Sequence, residues 1–192
     1  MKDINFKGKL IMIVGPPCSG KSTLATEVHT ELKKASVNSI FVSEVATDYI
    51  AEYGTPSTPM EQMVIFYKQL NKEKMFLKSK DCIICDSSSI LNYFYFRQLF
   101  TNELSHKDIA SINHIQKEIL KHLDKIDHIF YIPSLNNGLV EDGIRFQDKE
   151  EINKIETWIK AYLELENINH TDLSNVDIKD RVGFIINKIS DN

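Results

Sequence analysis

Hydrophobic residues gather in this chain into short unbroken runs, and those runs define its framework. Leu10–Val14 is five apolar residues in succession, Ser39–Ser43 carries Ile40, Phe41 and Val42, Cys82–Cys85 is wholly apolar, and His128–Ile132 is stopped by Pro133. Ile168–Leu173 supplies a short last segment. Continuous rather than alternating apolar runs of this length read as strands covered on both faces, the habit of a parallel sheet.

Between the runs the apolar spacing becomes helical. Lys21–Lys34 places Leu24, Val28 and Leu32 on one stripe. Gly54–Pro59 is a polar connection ending in Thr58-Pro59-Met60-Glu61, a capping box with Pro at the first helical position, and the helix it opens extends to about Lys78. Met63, Phe66, Tyr67, Leu70 and Met75 should form its core face, some of the aromatics being candidates to line an acceptor pocket. Ile90–Phe100 is rich in aromatics and reads either as a core helix or as a wall against a flat ring. Ser105–Leu123 has Ser105 and Asp108 in capping-box positions. Its His106, His114 and His122 fall eight apart, too far for one metal site, and are expected to be solvated. Asp148 and Glu151 open a further helix with Ile155, Trp158, Ile159, Tyr162 and Leu163 on its apolar side, and Ser174–Ser190 closes the chain. Five apolar segments alternating with helices predict an α/β sheet joined by right-handed crossovers.

The chemistry begins where the first strand ends. Gly15, Gly20, Lys21 and Ser22 spell G-x-x-x-x-G-K-[ST] between a strand and a helix, the context that motif requires. The nucleotide-binding segment is therefore Gly15, Pro16, Pro17, Cys18, Ser19, Gly20, Lys21, Ser22 and Thr23, with Cys18 contributing its amide rather than its thiol. The two glycines should let successive N–H groups turn inward around a phosphate at the positive end of the helix. Lys21 would reach the β- and γ-phosphate oxygens of ATP, and the Ser22 hydroxyl would take one position on Mg²⁺.

Other strand ends carry acids. The third strand ends in Asp86, read as the carboxylate that holds magnesium through its water shell, or else as a cap for the next helix. No Glu stands beside Asp86, which favours phosphoryl transfer to an acceptor over strong ATP hydrolysis. Glu44 and Asp48 follow the second strand, at the edge where open parallel sheets bind ligands, and could equally be carboxylates complementing a helix N-terminus. The segment 133–147 has two glycines and paired asparagines, the place for a lid, and Arg145 is its one arginine and so the candidate lid cation. Lysine far outnumbers arginine, which occurs only at Arg97, Arg145 and Arg181. Arg97 fits an acceptor phosphate or a surface ion pair equally well.

Composition narrows the setting. At 192 residues, 42% hydrophobic and 26% charged, the chain fits one globular domain able to fold without metals or disulfides. A net charge of −4 provides no global field toward nucleic acid or anionic membrane. With no apolar run of membrane-spanning length and no signal-like N-terminus, the expectation is a cytoplasmic protein. Cys82 and Cys85 are spaced C-x-x-C, but three apart on a strand they point to opposite faces and should share neither a metal nor a disulfide.

From Leu10 through Asn167 the sequence resembles the P-loop kinases, through GPPCSGKST, SEVATDYI, ICDSS and DGIRFQD. Within them it is similar to the kinase domain of bacterial ribosylnicotinamide kinases and to phage-type kinases of hydroxymethyluracil in DNA. The resemblance implies a three-layer fold with a five-stranded parallel sheet in the order 2-3-1-4-5 and Asp86 beside the loop strand. It also implies Glu44 or Asp48 near the acceptor hydroxyl, and Arg145 acting from the lid. The leading expectation is an ATP-dependent kinase of a nucleoside- or nucleotide-like small molecule. A kinase of a modified DNA base and a slow nucleotide-controlled interaction module are the alternatives.

Overall fold

The computed structural model describes residues 7–100, 106–135 and 149–190. Strands β1 (Lys9–Val14), β2 (Ser39–Val42), β3 (Cys82–Asp86), β4 (His128–Tyr131) and β5 (Thr171–Asp172) form one sheet in the order β2-β3-β1-β4-β5. Every pairing is parallel, with Ile13 in register with Asp86, Val14 with Tyr131 and Val42 with Cys85. The helices described are α1 (Lys21–Lys34), α2 (Val45–Tyr53), α3 (Pro59–Met75), α4 (Ser89–Phe100), α5 (His106–Leu123), α6 (Lys149–Leu165) and α7 (Arg181–Ser190).

Strand alternation divides the interior in two. Leu10, Met12 and Val14 with Ile83, Cys85, Ile129 and Tyr131 pack against α3, α4, α5 and α6 through Phe66, Leu70, Phe94, Ile115, Ile159 and Leu163. Ile11 and Ile13 with Cys82, Ile84, Phe130 and Ile132 meet α1 and α7 through Leu24, Val28, Leu32, Ile185 and Ile189. Helices thus cover both faces of the sheet, the three-layer α/β architecture. Cys82 and Cys85 fall into opposite layers, and burial pushes the Cys82 thiol up to about 12 and raises Cys85 as well.

Several details depart from the sequence-based expectations. His122 is buried, at 1% exposure, because the side of α5 that carries it turns toward Glu73, whereas His114 is exposed as expected. Met75 and Trp158 stand exposed at the margins of their helices, since the contact each helix makes is narrower than its apolar stripe. α3 stops at Met75 rather than Lys78, and the last strand is only Thr171–Asp172. A 3-10 turn at Ile178–Asp180 precedes α7, which starts at Arg181 and not at Ser174. Of the two readings of α4 the core helix is the one observed, with Tyr93, Phe94 and Phe96 buried. Arg97 pairs with Glu166 at 3.3 Å, while the buried Arg181 donates to the carbonyls of Val176 and Leu173 and so pins the turn after β5. Among the described residues no helix is long and apolar enough to cross a membrane.

Candidate functional site

The carboxyl ends of β1, β2 and β3 lie side by side, and the predicted groups collect there. Gly15–Gly20 leaves β1 as a loop and returns as α1, whose N-cap is Gly20 in the left-handed conformation, φ 84°. No side chain caps this helix, so its first N–H groups and dipole remain available to an anion. Cys18, at φ 57°, adds a second left-handed residue and curls the loop on itself. Lys21 is 7% exposed and its Nζ donates to the Pro16 carbonyl at 2.8 Å, so that the ammonium lies across the loop. Ser22 and Thr23 are exposed in the first turn of α1, and Ser19 is buried.

Gly15 serves a purpose that its motif position does not reveal. Its backbone has no positive φ, yet a Cβ built there would lie 2.3 Å from the carbonyl oxygen of Ile132. The glycine allows the loop to pass against the end of β4, while the turning itself falls to Cys18 and Gly20.

Asp86, 5% exposed, ends β3 in register with Ile13, one strand away from the loop and two residues short of Gly15 along β1. At the start of α4, Ser88 Oγ accepts from Leu91 N at 3.4 Å. Between them Ser87 is held at φ 71°, unusual for a non-glycine residue.

Glu44 is the N-cap of α2 but makes no side-chain cap; its carboxylate instead accepts from the Thr47 hydroxyl at 2.8 Å. Asp48 is exposed one turn on and lies 3.4 Å from the ammonium of Lys72. Both are thus at a helix N-terminus as well as at the carboxyl edge of the sheet, and Glu44 is the better-sheltered of the two. Lys72 also donates to Ser43 Oγ at 3.3 Å, bringing a cation to this edge that no local sequence signal marks. Arg145 lies outside the described residues.

Beyond β4 an open cleft of about 710 Å³ is lined by Pro133, Ser134, Glu156, Lys160 and Ser174 among others. Burial would raise the Glu156 carboxyl, but hydrogen bonds from Ser134 and Lys160 hold it below its usual range. The α6 spacing identified the apolar face of this helix and missed its polar one. Among the described residues no cluster of His, Cys, Asp and Glu has the make-up of a multi-ligand metal site.

Comparison with known proteins places this geometry. A family model described as AAA domain matches residues 10–181. No curated protein sequence matches. Among solved structures, NadR protein in complex with NR superposes with a TM-score of 0.72 at 17% identity, over 96% of this chain and 52% of that one, so the chain spans about half of NadR. Deoxyadenosine kinase from M. mycoides with bound dCTP gives a TM-score of 0.62 at 13% identity, over 95% of this chain and 99% of the other. The same enzyme with bound dATP gives 0.63 at 16% identity, over 93% and 97%. With the phosphate loop on β1, the 2-3-1-4-5 parallel sheet and the match over residues 10–181 together, the chain belongs to the AAA-domain family and has the P-loop kinase-like α/β fold.

Proposed function

We propose that the protein is an ATP-dependent phosphotransferase that moves the γ-phosphoryl group of Mg·ATP to a hydroxyl or phosphate of a nucleoside- or nucleotide-like acceptor. The observation that carries this reading is Lys21 lying across the uncapped start of α1 with the buried Asp86 on the neighbouring strand. Triphosphate recognition needs that pairing of a cationic, amide-rich cradle with an acid one strand away. That deoxyadenosine kinase binds dCTP and dATP, and NadR binds NR, supports an acceptor of the same general kind.

The residues fit a magnesium ion: the Asp86 carboxylate is buried at the end of β3 beside the loop strand, and the Ser22 hydroxyl is exposed at the first turn of α1. Bound there, magnesium would neutralise charge on the phosphate oxygens. The loop amides orient the phosphates, and the Lys21 ammonium leaves the Pro16 carbonyl to meet charge developing on the transferring group. Glu44, steadied by Thr47, takes the proton from an acceptor hydroxyl, and the more exposed Asp48 with Lys72 helps set the electrostatics of that edge. Arg145 is the proposed lid cation on sequence grounds.

The test is to incubate the protein with Mg·ATP and a panel of nucleosides, nucleotides, nicotinamide riboside and hydroxymethyluracil-containing DNA, and to analyse the products by mass spectrometry. An acceptor heavier by one phosphoryl group, with stoichiometric ADP, is expected from the small molecules. ADP formation that is indifferent to every acceptor would overturn the reading.

A further inference from the structure

Three buried side chains outside the nucleotide loop, on α3 and α5, have no part in that mechanism. Glu73 of α3 is 0% exposed; one carboxylate oxygen accepts from Ser89 N at 2.7 Å, and the other accepts from Ser89 Oγ at 2.7 Å and from His122 Nε2 at 2.8 Å. One helical turn earlier on the same face of α3, the buried Gln69 accepts from Val45 N through Oε1 at 2.9 Å. Val45 follows Glu44 directly, and Ser89 stands three residues after Asp86. α3 therefore grips the first residue of each helix that leaves the sheet from an edge acid.

A cap alone does not call for this arrangement. Ser88 already supplies a hydroxyl to the start of α4, and burying a carboxylate is expensive unless several donors satisfy it. The expense falls where the backbone is under strain: Ser87, at φ 71°, occupies a left-handed conformation unfavourable for an L-residue, and such a residue persists only where its surroundings over-determine it. Ser87 N is tied to the Ile13 carbonyl at 3.0 Å on one side of the turn, and Glu73 holds Ser89 on the other. His122, from α5, completes the hold on Glu73.

We infer that Glu73, buttressed by His122, is a positioning residue that fixes the Asp86–Ser89 turn and thereby aims the Asp86 carboxylate at the metal–nucleotide site. Gln69 serves the Glu44 turn in the same way. The inference rests on the proposed role of Asp86 as the magnesium carboxylate.

Its test is calorimetric titration of ADP into the protein, in EDTA and at a series of Mg²⁺ concentrations, for wild type, Glu73→Gln, Ser89→Ala and Asp86→Asn. Melting temperatures are read alongside, with Ile185→Ala in the opposite layer as a control for plain loss of stability. Glu73→Gln and Ser89→Ala should raise the Mg²⁺ concentration that half-tightens ADP binding by about tenfold, the scale at which residues behind a metal ligand act. Affinity in EDTA should stay as in wild type, and Ile185→Ala should shift the melting temperature only. A wild-type magnesium dependence in Glu73→Gln and Ser89→Ala, with Asp86→Asn shifted, reduces Glu73 to a structural cap and overturns the inference alone. An unshifted Asp86→Asn overturns the magnesium reading and the inference together. Should Glu73→Gln fail to fold, Ser89→Ala, which removes one hydroxyl and keeps the backbone N–H, decides.

Discussion

A lysine at the first position of a helix is electrostatically misplaced, because the peptide dipoles favour anions there, and the Lys21 ammonium is nearly buried as well. An anion seated in the loop would favour that placement. Lys21→Ala should lower transfer by on the order of 10²-fold or more, the effect of removing one preorganised electrostatic contact, while the fold stays intact. Near-wild-type turnover would show that the loop is not the site. Gly15→Ala is the opposite case: its Cβ would lie 2.3 Å from the Ile132 carbonyl, so β1 and β4 must separate, at a cost of roughly 1–3 kcal/mol. A thermal melt equal to wild type would contradict that crowding. The loop was legible in the sequence because its parts are contiguous and its chemistry is local to eight residues. The Glu73–His122 contact was not, because the partners lie 49 positions apart and nothing in the spacing of the α5 histidines tells that His122 faces inward.

Elements were read well where periodicity and a start signal agreed. α3 is the clearest: Thr58 Oγ1 accepts from Glu61 N at 3.3 Å, the Glu61 carboxylate accepts from Thr58 N at 2.9 Å, and Pro59 follows the cap. Hydrogen bonds from Ser57 and Thr58 hold the Glu61 carboxyl below its usual range, so their contribution is present at neutral pH and lost as pH falls through that lowered value. Thr58→Ala should cost about 1 kcal/mol, lowering the melting temperature by roughly 2–4 °C in a chain of this size. The penalty should shrink on acidification, because the Thr58 hydroxyl also donates to that carboxylate. A pH-independent difference would mean the box contributes nothing through Glu61. Where stop signals were weak, boundaries slipped. Ser174–Ser190 contains no break that distinguishes the 3-10 turn from α7, and the Arg181 bonds back to the Val176 and Leu173 carbonyls, which hold the segment before α7 as a turn, leave no mark in the apolar spacing. Stripes such as Met63–Met75 and Ile155–Leu163 report which side of a helix is apolar, not how far the neighbouring layer extends, which is why Met75 and Trp158 emerge into solvent.

At the scale of the molecule, the sheet order places the loop on the central strand β1, flanked by β3 with Asp86 and β4 with the cleft at Pro133. The loop leads into α1 of one helical layer and the end of β3 leads into α4 of the other, so a ligand held between the loop and Asp86 would bear on both. Nucleotide binding should consequently stabilise the whole cooperative unit rather than a local loop. Mg·ADP at 100 times its dissociation constant adds about 2.7 kcal/mol, which for a chain of 192 residues corresponds to a rise in melting temperature of roughly 5–11 °C. The rise should grow with the logarithm of nucleotide concentration and disappear in Lys21→Ala. Because the net charge is −4, duplex DNA at low salt should produce no comparable shift. A DNA-induced rise that collapses as salt increases would turn the choice of acceptor toward a base in nucleic acid. A rise with nucleotide alone, enlarged further by a nucleoside, would instead place the acceptor among small molecules held on the Glu44 side of the same edge.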